Sequence, residues 1–336
     1  MEQVLSKINI LLRGKSEMNE ILKRIGEIGI VPVLKVESPQ VAVEVGKALI
    51  AGDVPIVEVA LRTQAAFDAI GSLASQLPEL LVGAGTVLTE EQVKMAVGAG
   101  SRFIVSPGYN PKVVGYCVEH GITVIPGFSS ASEIEMALER KLEVLKFFPA
   151  ESAGGLGFLK SVAAPFGTVR FLPTGGIDAS NQVKYMSYDR VHAVAGTWIC
   201  PEATVLAGNY EEITRRAQEA VVAGLGFKLE HLGINETSEG RALSCAEELF
   251  RLFGFLVKDG ARSVFAGSGF EIMKLPSLGK NGHICISTLN IQRAISYLGR
   301  KGIATKQETA KVKAGVMFAI YIDLELSGFA IHLLQA

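Results

Sequence analysis

Between Ile30 and Trp198, short apolar runs rich in β-branched residues alternate with longer amphipathic stretches, and few folds accommodate that rhythm. The runs are Ile30–Val36, Pro55–Leu61, Leu80–Val87, Arg102–Pro107, Thr123–Phe128, Val144–Pro149, Val169–Gly175 and His192–Trp198. Their hydrophobicity is nearly continuous, as in strands covered on both faces, which predicts a parallel sheet flanked by helices. Helical stretches fall between them, among them Pro39–Ala51 behind an N-cap at Ser38, Glu90–Ala99, Ala131–Arg140 and Asp178–Met186. Gly52, Gly100 and Gly121 stand at helix ends, where a left-handed C-cap is expected. An open doubly wound sheet would carry a glycine-rich turn after its first strand. Here that strand runs into Lys35-Val36-Glu37-Ser38, so the α/β class expected is a (β/α)8 TIM barrel.

The chain has 336 residues, more than one ordinary domain needs. The barrel is expected over residues 1–222, with a helical lead-in over Met1–Ser16 and a closing helix over Tyr210–Val222; residues 223–226 read as a linker. Residues 227–336 predict a smaller α+β domain. There a strand (Phe227–Asn235), a helix (Arg241–Phe253) and strands around Val264–Ala266 and Phe270–Lys274 come first. A second round follows as His283–Thr288, Ile291–Arg300, Met317–Leu324 and Phe329–Leu333, an internal repeat. Mean hydropathy is high at +0.32, yet no apolar run approaches the ~20 residues of a membrane span, so buried strands account for it. With 33 basic and 34 acidic side chains the net charge is −1, which provides no footprint for nucleic acid or an anionic membrane. Cys117, Cys200, Cys245 and Cys285 lie far apart and read as reduced thiols of a cytoplasmic protein.

In a barrel enzyme the chemistry sits at the C-terminal ends of the strands. Polar residues fall at those ends here: Glu58 and Arg62 on the second, Thr86 on the third, Lys146 within the sixth, Thr174-Gly175-Gly176 on the seventh and Thr197 on the eighth. An ammonium flanked by Leu145 and Phe147 has two readings: it snorkels or pairs with a carboxylate, or desolvation lowers its pKa and makes it a nucleophile for a ketone. Glu58 is either the ion-pair partner of Arg62 or Lys146, or a carboxylate that moves protons for carbon–carbon bond cleavage. Arg62 is a surface ion pair or a bidentate clamp for a substrate carboxylate. The Gly175-Gly176 turn and Thr197 stand where barrels commonly hold phosphate, although glycines also serve simply as turns.

Residues 20–222 resemble the 2-keto-3-deoxy-6-phosphogluconate (KDPG) / 4-hydroxy-2-oxoglutarate (KHG) aldolases, class I Schiff-base enzymes on a trimeric (β/α)8 barrel. The resemblance rests on Glu58-Val59-Ala60-Leu61-Arg62-Thr63, Gly83-Ala84-Gly85-Thr86-Val87, Ser106-Pro107-Gly108, Ile125-Pro126-Gly127, Lys146-Phe147-Phe148-Pro149-Ala150-Glu151 and Pro173-Thr174-Gly175-Gly176-Ile177. It implies Lys146 as the Schiff-base lysine and Glu58 as the general acid/base. It further implies Arg62 and Thr86 on the pyruvate carboxylate and keto end, Pro107, Phe148 and Thr174 lining the pocket, and Gly175, Gly176 and Thr197 on the substrate phosphate. No cofactor is implied for this aldolase chemistry, and the products would be pyruvate with glyceraldehyde 3-phosphate or glyoxylate. Thr197 stands where the family has serine in Gly-Gly-Ser-Trp, and Ala60 where it often has threonine.

Residues 227–336 resemble the vicinal oxygen chelate (glyoxalase-like) fold, two βαβββ modules around a cupped site, through the repeat and Asn281-Gly282-His283-Ile284-Cys285-Ile286. That resemblance places His231, Glu271, His283 and His332 at metal-ligand positions and implies a divalent metal, with His332 where glutamate is usual. The alternative readings are a phosphate-binding barrel isomerase or synthase, and a ligand- or metal-binding sensor or scaffold using the C-terminal domain. A homotrimer with a small-molecule substrate is expected from the barrel resemblance.

Overall fold

The structure is a computed structural model that describes residues 20–336; the helical lead-in expected over Met1–Ser16 lies outside them. Backbone contacts divide the chain into two units that part between Gly224 and Leu225.

The first unit opens on α1 (residues 20–28). It continues through β1 (Ile30–Leu34), α2 (Pro39–Ala51), β2 (Ile56–Ala60), α3 (Ala66–Gln76), β3 (Leu81–Gly85), α4 (Glu90–Gly98), β4 (Phe103–Val105), α5 (Pro111–Glu119), β5 (Thr123–Ile125) and β6 (Gly127–Phe128). Then come α6 (Ala131–Glu139), β7 (Val144–Phe147), α7 (Gly155–Ala163), β8 (Arg170–Pro173), α8 (Gln182–Met186), β9 (Val194–Gly196), α9 (Glu202–Leu206) and α10 (Tyr210–Leu225). All strand pairs are parallel, in the order β5-β4-β3-β2-β1-β9 and, in a second segment, β6-β7-β8. Parallel bridges Phe171–Val191 and Thr174–Ala195 tie β8 to the chain entering β9, so the unit is a curled parallel sheet among helices. β2, β3 and β7 are buried along their whole length, the reason their sequences show no polar alternation.

Local chemistry sets the helix starts. Thr89 Oγ1 accepts the Gln92 amide ahead of α4, Asn110 Oδ1 accepts the Lys112 amide at 3.0 Å ahead of α5, and Ser130 with Glu133 forms a capping box on α6. The single strand expected over Thr123–Phe128 is broken at Pro126, which has no N–H to donate; its carbonyl accepts the Lys146 amide at 2.9 Å.

Two expectations are corrected. Gly100 and Gly121 do take left-handed φ, but Gly52 stays at φ −88 and Asp53 takes the left-handed turn at φ 63. Glycine is needed at 52 for space, since a Cβ there would lie 2.4 Å from Ala217 Cβ on α10. The linker read at 223–226 is helical through Leu225, because Gly224 packs on Met186 rather than breaking the helix; the turn falls on Gly226, at φ 58.

The second unit runs β10 (Lys228–Asn235), α11 (Glu239–Phe253), β11 (Val257–Asp259), β12 (Ser263–Ala266), β13 (Phe270–Met273), β14 (Gly282–Thr288), α12 (Ile291–Arg300), β15 (Thr305–Lys313), β16 (Val316–Leu326) and β17 (Phe329–Gln335). They form one eight-stranded sheet, β11-β12-β13-β10-β14-β17-β16-β15. β10 and β14 pair antiparallel at its centre, and each is flanked by the last strand of its own repeat in parallel, β13 and β17. The sequence did not predict β11 and β15. Both are edge strands with polar, largely exposed residues, where burial leaves no hydrophobic pattern to read.

Candidate active site and a second polar cluster

β2 and β7 carry their one charged residue each into the interior of the first unit. Lys146 Nζ lies 3.1 Å from Glu58 Oε1, with side chains 7% and 1% exposed, although 88 residues separate them in sequence. Of the two readings of Lys146, pairing and nucleophile, the geometry shows the pairing: the ion pair is made deep in the sheet interior. The Lys146 ammonium also stands 5.6 Å from the centre of the Phe148 ring. Glu58 Oε2 is buried and has no hydrogen-bond partner among the described residues, so one carboxylate oxygen faces Lys146 while the other keeps its lone pairs free.

Small residues make room for this pair. A Cβ at Gly85 would lie 2.1 Å from Glu58 Oε1, and one at Gly83 would strike the Phe103 ring. The sequence shows Gly83-Ala84-Gly85 as a motif, but that its second glycine yields space to a carboxylate one strand away is visible only in the fold. Thr86, the next residue, sits at φ 58, a conformation costly for a β-branched side chain and one that clusters at functional sites.

The loops around the pair hold the other expected residues. Leu61 N–H donates to the Gly85 carbonyl, tying the loop that carries exposed Arg62 to the loop that carries Thr86. Pro107 lies against β6, where a Cβ at Gly127 would meet its carbonyl oxygen at 2.0 Å. Thr174 N–H donates to the Phe147 carbonyl at 2.9 Å and Ala150 N–H to the Thr174 carbonyl at 2.7 Å, so Phe148 and Thr174 belong to two interlocked turns. Gly175 and Gly176 follow at φ 94 and 78, and Thr197 is exposed directly after β9. Sequence reasoning missed Glu151 and Tyr185, which hydrogen-bond to each other behind these turns; a buried Tyr on a short helix carries no signal of its own.

The second unit gathers a separate cluster. His231 on β10, Glu271 on β13, His283 on β14 and His332 on β17 come from the four central strands. Glu271 Oε2 lies 3.1 Å from Nε2 of both His231 and His283, and those two nitrogens are 3.2 Å apart. Ring nitrogens of His231, His283 and His332 all lie within 4.8 Å of one another. Ser263 Oγ donates to Glu271 Oε1 at 2.7 Å, and the Tyr321 ring lies tilted against His332 with centroids 5.0 Å apart; neither residue was singled out from sequence. Burial would raise the Glu271 carboxyl, but hydrogen bonds from His231, His283 and Ser263 outweigh it and hold it well below the usual carboxylate range. Burial, aided by the neighbouring imidazoles, pushes His332 down to about 4, which leaves it neutral with a lone pair to offer.

The class of protein is set by the first unit: an α/β protein whose parallel strands hold a buried amine against a buried carboxylate, the equipment of a Schiff-base lyase. The KDPG and KHG aldolase family matches residues 21–216, and the chain belongs to that family. It is 42% identical to the 2-dehydro-3-deoxy-phosphogluconate aldolase of Treponema pallidum over 204 residues, 61% of this chain and 97% of that protein. It is 43% identical to the KHG/KDPG aldolase of Escherichia coli over 192 residues, 57% of this chain and 90% of that one. Among solved structures it is similar to KDPG aldolase from Legionella pneumophila, captured with pyruvate as a covalent carbinolamine. The TM-score there is 0.58 at 35% identity, covering 59% of this chain and 97% of that chain. The chain is thus an aldolase, a lyase of class I type. Among the described residues no helix is long and apolar enough to cross a membrane.

Proposed function

We propose that the first unit, closed as a (β/α)8 barrel, cleaves 2-keto-4-hydroxy acids to pyruvate and an aldehyde: KDPG to glyceraldehyde 3-phosphate, KHG to glyoxylate. The observation that carries this reading is the 3.1 Å contact of Lys146 Nζ with Glu58 Oε1 inside the sheet. Neutral Lys146 adds to the C2 ketone, and one proton taken up from solvent lets the carbinolamine hydroxyl leave as water, giving a protonated imine whose later hydrolysis returns that proton. Glu58 takes the C4 hydroxyl proton, the C3–C4 bond breaks, and its electron pair moves into the imine as an enamine while the aldehyde leaves. The proton held by Glu58 returns to C3, and water hydrolyses the imine to release pyruvate and restore the amine. Arg62 and Thr86 bind the carboxylate and keto end, and Pro107, Phe148 and Thr174 line the pocket. The phosphate rests on the Gly175–Gly176 turn beside Thr197. The imine is the electron sink, so the scheme needs no cofactor. A homotrimer in the cytoplasm is part of the same reading, supported by the family and by four free cysteines.

The test is borohydride reduction in the presence of pyruvate. A stable pyruvate-derived mass at Lys146, absent in Lys146→Arg, is expected; an unmodified wild-type lysine rules the mechanism out and leaves a phosphate-binding isomerase or synthase. For the second unit, we propose a vicinal oxygen chelate-like pair of modules that holds a divalent metal. Glu271, His231 and His283 meet at hydrogen-bond distance, and the ring nitrogen of His332 lies within 4.8 Å of those of the other two histidines, a donor set that fits a cation. His231, Glu271, His283 and His332 would hold it, and bound there it would supply a Lewis acid for an oxygen ligand. Elemental analysis of protein purified without chelator decides this: metal in wild type, lost from the double variant His231→Ala/His283→Ala.

A further inference from the structure

Behind the glycine turn that follows β8 lies a cluster that the reaction scheme does not use. Glu151 lies within the turn between β7 and α7, five residues beyond Lys146, and its N–H donates to the Gly175 carbonyl at 3.1 Å. Its Cβ fills the space beside Gly176, where an added Cβ would come within 2.7 Å of it. The phenol of Tyr185, a side chain fully buried on α8, donates to Glu151 Oε1. Gly155, at the start of α7, closes the third side: a Cβ there would lie 3.1 Å from Glu151 Oε1 and 3.3 Å from the Tyr185 oxygen. Asn181 holds the far side of the turn, donating from Nδ2 to the Gly176 carbonyl at 2.8 Å. The turn therefore stands on two side-chain hydrogen bonds from the α8 region, one direct and one relayed through Glu151.

We propose that Tyr185 and Glu151 are positioning residues that hold the Gly175–Gly176 turn in shape for a phosphate group, and so set the preference for phosphorylated over unphosphorylated keto acids. The proposal rests on the reading of that turn as the phosphate subsite. Two glycines at positive φ have no side chain to fix their amide directions, so the fixing must come from what packs beneath them. Glu151 meets the turn through its backbone and Cβ, and Tyr185 anchors the far end of the Glu151 side chain. Losing the anchor frees the carboxylate to rotate into solvent and loosens the turn, while the hydrogen bond between Lys146 and Glu58 is made without either residue. A phosphorylated substrate feels that change; a substrate that ends short of the turn does not.

The experiment compares KDPG and KHG cleavage in the full chain carrying Tyr185→Phe, Glu151→Ala or Glu151→Gln, with pyruvate trapping at Lys146 measured on each. Expected for Tyr185→Phe and Glu151→Ala is a loss of about tenfold in kcat/KM for KDPG, carried by KM, with KHG cleavage and trapping within about twofold of wild type. Inhibition of KHG cleavage by inorganic phosphate should weaken by the same factor as KDPG binding. Glu151→Gln keeps an acceptor for the phenol and should retain most of the KDPG activity. Equal losses on both substrates, or no loss on either, overturn the positioning role while intact trapping leaves the aldolase reading standing. Wild-type protein that forms no pyruvate adduct overturns the aldolase reading itself and the inference with it.

Discussion

At the scale of the residue, the proposed chemistry rests on one nitrogen and one carboxylate taken out of water together. Glu58→Gln keeps the shape but cannot exchange a proton, so turnover should fall by about 10²–10⁴ while borohydride still traps pyruvate on Lys146. Mass spectrometry and a coupled pyruvate assay on the same sample check this; loss of the adduct along with turnover would show that Glu58 instead keeps Lys146 in place. Gly85→Ala is a spatial probe of the same pair. Its methyl would sit 2.1 Å from Glu58 Oε1, so the carboxylate must shift, with an expected loss of about 10² in kcat from misplacement alone. A Gly85→Ala protein of wild-type turnover would mean that the carboxylate position is not critical. Lys146 and Glu58 were both legible in the sequence as lone charges inside apolar strands. Gly85, Glu151 and Tyr185 were not, because their partners lie one strand or 34 residues away and only packing brings them together.

At the scale of the element, the sequence was read well wherever burial or capping leaves a pattern. Seven of the eight apolar runs each hold one strand, trimmed at one or both ends, while Thr123–Phe128 holds two short ones parted at Pro126, and Pro39–Ala51 and Ile291–Arg300 match the helices observed. Edges such as β15, Thr305–Lys313, were silent because a lysine-rich strand exposed along one side looks like a loop. Caps have measurable weight. Asn110 accepts from Lys112 N–H at 3.0 Å and also donates from Nδ2 to the Leu88 carbonyl at 3.0 Å, joining the α5 start to the loop after β3. Asn110→Ala should therefore cost about 1–2 kcal/mol of stability in denaturant unfolding, with little effect on pyruvate trapping. A change under a few tenths would mean that water replaces the cap.

At the scale of the whole molecule, two units carry two kinds of site, and they should answer differently to acid and to metal. His332 falls from 6.5 to about 4 in the fold, so the unfolded chain binds the extra proton between those values. Stability of the second unit is then complete above pH 6.5 and is lost as pH falls toward 4, by up to about 3 kcal/mol. Glu271, held low, acts in the same direction below its ordinary range. Thermal unfolding of chelator-treated protein at pH 7 and pH 5 should show this drop, and His332→Gln should flatten it; an unchanged slope in the variant assigns the drop elsewhere. Conversely, a divalent metal at a hundred times its dissociation constant should stabilise the second unit by about 2.7 kcal/mol and leave pyruvate trapping in the first unchanged. A shift absent from wild type, or retained by His231→Ala/His283→Ala, removes the metal site.

The sequence alone determined the alternation of strands and helices, the repeat in the last third, and which polar residues stand at strand ends, because each of these is a local matter of period, cap and turn. Tertiary structure decided the rest. The 3.1 Å approach of residues 58 and 146, the convergence of three histidines and Glu271 from four strands, the helix running through 223–225 and the space left by Gly52 and Gly85 are all contacts across the chain. Such contacts depend on sheet order and register, and neither is written in the residues on one side of the contact.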